Sequence, residues 1–587
     1  ESRSWIEREA PLSASPEALN KFYVNRAEAY ARLGQMEKAI HDMELVISKY
    51  PSGSNILRTQ DLMVLSGFEA QVGNLHKAIQ LALKARENIR PSEMGMLTGN
   101  NNGLVMLYSE VGDFQEAERY LRDAEAVLVA LRRTNVFNTL GEWWTAQLLQ
   151  TRSVYLSQQG KWVDAEINLR RCVQMMSKWL NYVEKLPINQ SGADWSSDPT
   201  ATAYLLRSVA PKRLNVQILL ARSLAMQGKL VEAESQIREV IELTLRYYGK
   251  NSTQAGAAIL ELSSIISEQN RFAEAGLLSK TAVDIFAASG AAPGSLGMMK
   301  AKKSLAKNLV AARRYEEADK IFSEVQSDVK AHAYELKSMS VSDIDWVISK
   351  IKTGQTAEAH HMSQELLSSL KKQSNPSEKR VASWEVLNAM ALHASGKTNE
   401  ALSAYEKYMP SLVSAMTADA ESQVGGAREQ DRFVMALEDS ISVLAESAKN
   451  NKEHSNKWAA EAFQLADLAR GSGVQRALTA SAARANIKDP NLAELARKEQ
   501  DTQRRISSLE HILSGLLSAP PEEQLPAIQA KMKLDIAQLK QDRQAYKKEI
   551  EQKRPEFLTA DIRKDIENTF IYTQQLIDLY KDEADKE

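Results

Sequence analysis

The stretch Leu33-Gly34-Gln35-Met36-Glu37-Lys38-Ala39-Ile40 decides the fold, because the chain repeats it. The same turn returns as Val72-Gly73-Asn74-Leu75-His76-Lys77-Ala78 and as Val111-Gly112-Asp113-Phe114-Gln115-Glu116-Ala117. It recurs at Gly160 with Trp162 and Ala165, Gly228 with Leu230 and Ala233, Gly354 with Ala359, and Gly396 with Ala401. Asn270 with Phe272 and Ala275, and Arg313 with Tyr315 and Ala318, put another residue at the turn. An alanine stands five residues after the turn position in all nine copies, a register that chance does not produce. Seven residues further on come Val46, Ala85, Ala124, Cys172, Val240, Ala282 and Val325, with Leu366 and Tyr408 as larger members.

These residue types have one physical explanation. Glycine after a helix takes the left-handed conformation that ends it at little cost. A small residue where two helices cross lets their backbones approach, and a large one would push them apart. The bulky residue two after the turn (Phe114, Trp162, Phe272, Tyr315) is expected to plug the gap between the paired helices. Each unit is therefore an αα-hairpin that buries its apolar face only by stacking on its neighbours.

The turns are spaced 39, 39, 48, 68, 42, 43, 41 and 42 residues apart. Gly34, Ala39 and Pro51, with Ala27 and Tyr30 upstream, resemble a tetratricopeptide repeat, whose usual period is about 34 residues. The resemblance covers residues 18–410 and implies an all-α, right-handed solenoid of about nine repeats, with longer helices or connections than usual. Residues 1–17 read as an N-terminal segment. The 68-residue interval holds Pro187-Ile188-Asn189-Gln190-Ser191-Gly192-Ala193-Asp194, which reads as an insertion near 184–203. Further breaks are expected at Thr98–Gly103 and at Gly290–Gly294.

Beyond Tyr408 the repeat fades while helical periodicity continues, so residues 411–490 read as further repeat-like helices. Ile506, Leu509, Leu513, Leu516 and Leu517 form one apolar stripe; Leu525, Ile528, Met532, Ile536, Leu539, Tyr546 and Ile550 form a second. Ser518-Ala519-Pro520-Pro521 separates them, which predicts an antiparallel helical hairpin over 491–556. Residues 557–587 read as a C-terminal helix and charged tail. The segment Ala462–Leu478 with this hairpin resembles the region joining tetratricopeptide arrays to a CHAT domain, a caspase-like protease module. In that family the repeats sense or recruit and the module cuts. Nothing after Pro555 has a strand pattern or a histidine–cysteine pair, so the resemblance implies the regulatory portion alone.

Composition excludes several classes of function. The 74 basic and 76 acidic residues leave a net charge of −2, which gives no support for a nucleic-acid partner. Mean hydropathy is −0.38, and no apolar run reaches the length of a membrane span. The one cysteine, Cys172, cannot form an internal disulfide and reads as a small buried hydrophobe. A cytoplasmic location is expected. The start at Glu1 without methionine suggests removal of an upstream segment and leaves a periplasmic or secreted location as the alternative.

No catalytic constellation, cofactor or metal site is expected. His360 and His361 are adjacent, so they point to different faces of a helix and cannot chelate one ion together. Gly290 and Gly294 lack the lysine of a phosphate loop, and Gly471-Ser472-Gly473 lacks both its pattern and a preceding strand. The expected function is a non-catalytic scaffold that binds a protein or peptide. In tetratricopeptide arrays, ligand contacts come from positions 13, 10, 6 and 3 before the turn residue, on the first helix of each unit. By that resemblance the partner-binding candidates are Lys300, Lys303 and Lys307, with Gln147, Gln150, Asn215 and Arg222. They suggest a basic, amide-rich groove for an acidic peptide or a carboxylate terminus; a solvated charged face is the ordinary alternative. Trp143 and Trp144 are either interface anchors or packing residues within the hairpin.

Overall fold

The computed structural model describes residues 2–11, 14–135, 137–184, 199–333, 336, 339, 343–371, 378–421, 426–470, 490–518 and 523–553. Most of the expected insertion, Gly471-Ser472-Gly473 and everything after 553 lie outside the described residues. The chain is an all-α solenoid of stacked helical hairpins, with no strand among the described residues.

After a short α1 (Ser2–Ile6), the repeats pair α2 (Pro16–Arg32) with α3 (Met36–Ser48), α4 (Asn55–Val72) with α5 (Leu75–Asn88), and α6 (Met94–Glu110) with α7 (Phe114–Leu131). Next come α8 (Phe137–Gln158) with α9 (Trp162–Glu184), α10 (Pro199–Ala225) with α11 (Leu230–Tyr248), and α12 (Thr253–Glu268) with α13 (Phe272–Ser289). The series continues with α14 (Leu296–Ala311) and α15 (Tyr315–Ala331), α16 (Ile344–Lys352) and α17 (Thr356–Lys371), then α18 (Glu378–Ala394) and α19 (Thr398–Glu421). A tenth pair, α20 (Ala427–Asn450) and α21 (Ser455–Arg470), precedes a longer hairpin, α22 (Pro490–Ser518) and α23 (Pro526–Lys553). The boundary expected at 410 falls inside α19, which carries Pro410 within it.

The nine turns share one hydrogen-bonded geometry. The residue after the turn donates its amide to the carbonyl five positions back, from Gln35 to Tyr30 at 2.9 Å through to Lys397 to Leu392 at 3.0 Å. The turn residue has positive φ in every copy, including Asn270 at 61° and Arg313 at 64°. This double closure of the helix end is the Schellman motif. The alanines at 39, 78, 117, 165, 233, 275, 318, 359 and 401 are all wholly buried. Each sits one turn into the second helix, where that helix crosses the first.

The expected break at Thr98–Gly103 is not one: these residues lie in the middle of α6. Asparagine and glycine favour turns in isolation, but here Asn100, Asn101 and Asn102 are buried. Asn100 Nδ2 donates to the Ala82 carbonyl at 2.9 Å, and Asn101 Oδ1 accepts from Arg86 Nε at 3.1 Å. Packing against α5 overrides local preference. Gly290–Gly294 does separate α13 from α14.

A polar cluster ties repeat nine to α20. His393 lies 3.0 Å from Asp439 Oδ1 through Nδ1 and 3.4 Å from Glu446 Oε1 through Nε2, while the Tyr405 hydroxyl donates to Asp439 Oδ2 at 2.5 Å. Desolvation lowers the His393 pKa, but the bonds and fields of Asp439 and Glu446 outweigh it, and the net shift is upward. A histidine held above its unfolded value stabilises fully below about pH 6.5 and loses that contribution as pH rises through the folded value. His393→Gln is therefore expected to lower the urea midpoint in mildly acidic buffer and to match the parent in alkaline buffer. A gap between the two that is constant with pH would contradict this.

Candidate functional site: the inner wall of the array

First helices of neighbouring repeats approach one another directly, as α6 with α8, α12 with α14, α14 with α16, and α16 with α18. By the resemblance above, the face they share corresponds to the inner wall of the array. Across it, the charges of Glu110 on α6, Arg222 on α10, Glu261 on α12 and Lys300 on α14 act on one another. Four helices thus present charged side chains to one shared space.

The candidate cations divide into two groups there. Lys303 and Lys307 point their ammonium groups at Asp343 Oδ2, at 3.1 and 3.0 Å. Asp343 is buried and also caps α16, accepting from the Asp345 amide at 3.1 Å. Burial alone would raise its carboxyl; Lys307, Lys303 and Arg432 bring it down to about 2. Arg222 is held bidentately by Glu261, at 2.7 and 2.6 Å, and that hydrogen bonding raises its pKa against desolvation. Lys300 is different. It is exposed and makes no ion pair among the described residues. Surrounding protein displaces enough water to lower its pKa, Arg222 adds to the effect, and Glu110 and Glu261 oppose it. Glu110 is raised by the same desolvation.

One cation escaped the sequence reading. Lys212 on α10 sets its Nζ 4.6 Å from the centre of the Trp143 ring, within cation–π range. Desolvation lowers its pKa, and it has no ion pair among the described residues. No local pattern pairs residue 143 with residue 212, so only the stacking of α8 beside α10 reveals it. Trp143 also packs against Trp179, ring centres 6.0 Å apart, and Trp144 packs into the core shared by α5, α6 and α7. Gln147, Gln150 and Asn215 make no side-chain hydrogen bond among the described residues; Asn215 is exposed and the glutamines are half-buried.

Cys172 is wholly buried, with its thiol donating to the Ala146 carbonyl at 3.0 Å. Burial pushes its pKa up to about 12, which removes the thiolate that nucleophilic chemistry requires. Among the described residues no group of three or more histidine, cysteine or acidic side chains is placed to hold a metal ion. None of the described helices is long and apolar enough to cross a membrane.

Residues 21–51 and 214–239 match the tetratricopeptide repeat. Each stretch is similar to a single such repeat. The matched stretches take in the turns at Gly34 and Gly228. No curated protein matches the chain in sequence. In structure the chain is similar to a signal transduction ATPase with numerous domains, bearing a tetratricopeptide repeat sensor, from Pyrococcus horikoshii (14% identity, TM-score 0.35, 61% of this chain). The chain spans 50% of the length of that protein. It is also similar to the apo form of RapI (12% identity, TM-score 0.37, 68% of this chain and 97% of that one). A third is BtubC from P. vanneervenii (16% identity, TM-score 0.30, 42% of this chain and 92% of that one).

Proposed function

We propose that this chain is a non-catalytic protein-binding scaffold whose inner wall holds an acidic, extended segment of a protein partner. The observation that carries this reading is the pair Lys212 and Lys300, partly desolvated yet without an ion pair among the described residues. Ammonium groups in such a setting gain more from an incoming carboxylate than they would in open water. Gln147, Gln150 and Asn215 supply amide groups suited to a peptide backbone. Lys303 and Lys307 contribute structure instead, through Asp343.

The test is fluorescence anisotropy with a labelled oligoglutamate peptide. The double variant Lys212→Glu, Lys300→Glu should weaken binding at least roughly tenfold at low salt, with the difference shrinking as salt screens the charges. Lys320→Glu, exposed on α15, should bind as the parent does. Equal affinity of the double variant, or equal binding of an uncharged peptide, would refute the proposal.

A second reading, the sensing half of a caspase-like protease, draws its support from the hairpin that follows the array. It is sunk if the native reading frame encodes no strand-rich module with a histidine and a cysteine.

A further inference from the structure

The turn edge of the array is a row of helix ends, and helix ends carry backbone groups without intrahelical partners. The hairpin α22–α23 supplies partners to three consecutive repeats. Glu523 accepts from the His76 amide in the first turn of α5, at 3.1 Å. Lys531 Nζ donates to Gln115 Oε1 at 2.9 Å and lies 3.9 Å from Asp113, the residue that caps α7. The Ser508 hydroxyl donates to the Gln158 carbonyl at the end of α8, at 2.5 Å. Between these polar points, Phe114 packs against the hairpin's apolar residues, and Leu525 and Ile528 reach the core of repeats two to four.

Two features separate this contact from ordinary repeat stacking. The hairpin has a core of its own, in which Ile506, Leu509, Leu513, Leu516 and Ile536 pack together. It can therefore leave the array as a unit, without opening that core. At Gly160 the seating is backbone against backbone: a Cβ there would lie 2.8 Å from the Arg504 carbonyl oxygen and 2.9 Å from its carbon. Any residue but glycine forces α22 away.

We infer that the hairpin α22–α23 is a releasable strap, clamped on the turn edge of repeats two to four, that limits how far those repeats can open. Its release is an opening motion of repeats two to four, independent of what the inner wall binds.

Gly160→Asn separates the strap from the repeat beneath it. Asparagine already holds this turn position at residue 270, so the turn survives while the added Cβ meets the backbone of Arg504. Gly228→Asn is the control, because nothing lies within 4 Å of a Cβ there. Hydrogen exchange should quicken roughly tenfold or more in the first turns of α5 and α7, which the hairpin covers, in Gly160→Asn, with helical circular dichroism unchanged. Small-angle scattering should show a larger radius of gyration, and Gly228→Asn should match the parent in both. The charge-swapped variant Glu523→Lys, Lys531→Glu alters only the rim of the contact and should move both readouts the same way; if Gly160→Asn does not fold, this variant decides. Parental exchange in the variants would overturn the strap. Faster exchange at an unchanged radius would overturn its control of opening.

Discussion

Ala117→Trp is expected to lower the stability of the array by about 3 kcal/mol or more, the upper end of overpacking costs. Ala117 is wholly buried, and its amide makes the first hydrogen bond of α7, to the Asp113 carbonyl at 3.0 Å. An indole there has no route to solvent that keeps α6 and α7 together. Because a solenoid repeat touches chiefly its neighbours, the damage should uncouple repeats one and two from those that follow. Thermal unfolding should then change from one steep transition to two. Val231→Trp is the control, since Val231 on α11 is 81% exposed and should leave the midpoint within a degree or so. An unaltered midpoint for Ala117→Trp would contradict the helix crossing described here.

Asp343→Asn should cost about 2 kcal/mol near neutral pH, the size implied by a carboxyl brought from its ordinary value to about 2. Two ammonium groups, Lys303 and Lys307, lose their counter-charge while remaining partly buried, and breaking one side of such a cluster is the expensive way to alter it. The sign with pH follows from the depression. A carboxylate held below its unfolded value stabilises fully above about pH 4 and loses that contribution as pH falls toward the folded value. Urea midpoints of parent and variant should therefore differ most near neutrality and converge toward pH 2. The neighbouring Asp345, raised by burial and opposed by Arg432, is relieved of a like charge in the variant, which trims the loss. A difference that grows on acidification would contradict the assignment.

The repeats were legible in the sequence because the same constraint is written nine times. A left-handed turn and a small residue at a helix crossing each tolerate few amino acids, so identity survives where geometry is strict. Asn270 and Arg313 show the limit: both adopt the glycine conformation, and only the alanine five residues later marks them in the sequence. The Asn100–Asn102 stretch misled because its turn preference is local, whereas its partners Ala82 and Arg86 sit on another helix. The inner wall was less legible for the same reason. Counting back from the turns places Lys300, Lys303 and Lys307 on one helix, but the acid that engages two of them belongs to the next repeat. Lys212 and Trp143 meet only through stacking. Phe114, expected to fill its own hairpin, instead faces Tyr155, ring centres 6.1 Å apart, and the distant α22–α23 hairpin.

The sealed position of Cys172 makes the protein its own stability gauge. As the one cysteine of the chain, it gives a thiol-labelling reagent a single address, deep between α8 and α9. Labelling under native conditions then times the opening of the fourth repeat alone, while the rest of the array stays silent. Compared with global unfolding, that rate tells whether the middle of the ribbon melts with its ends or breathes apart from them.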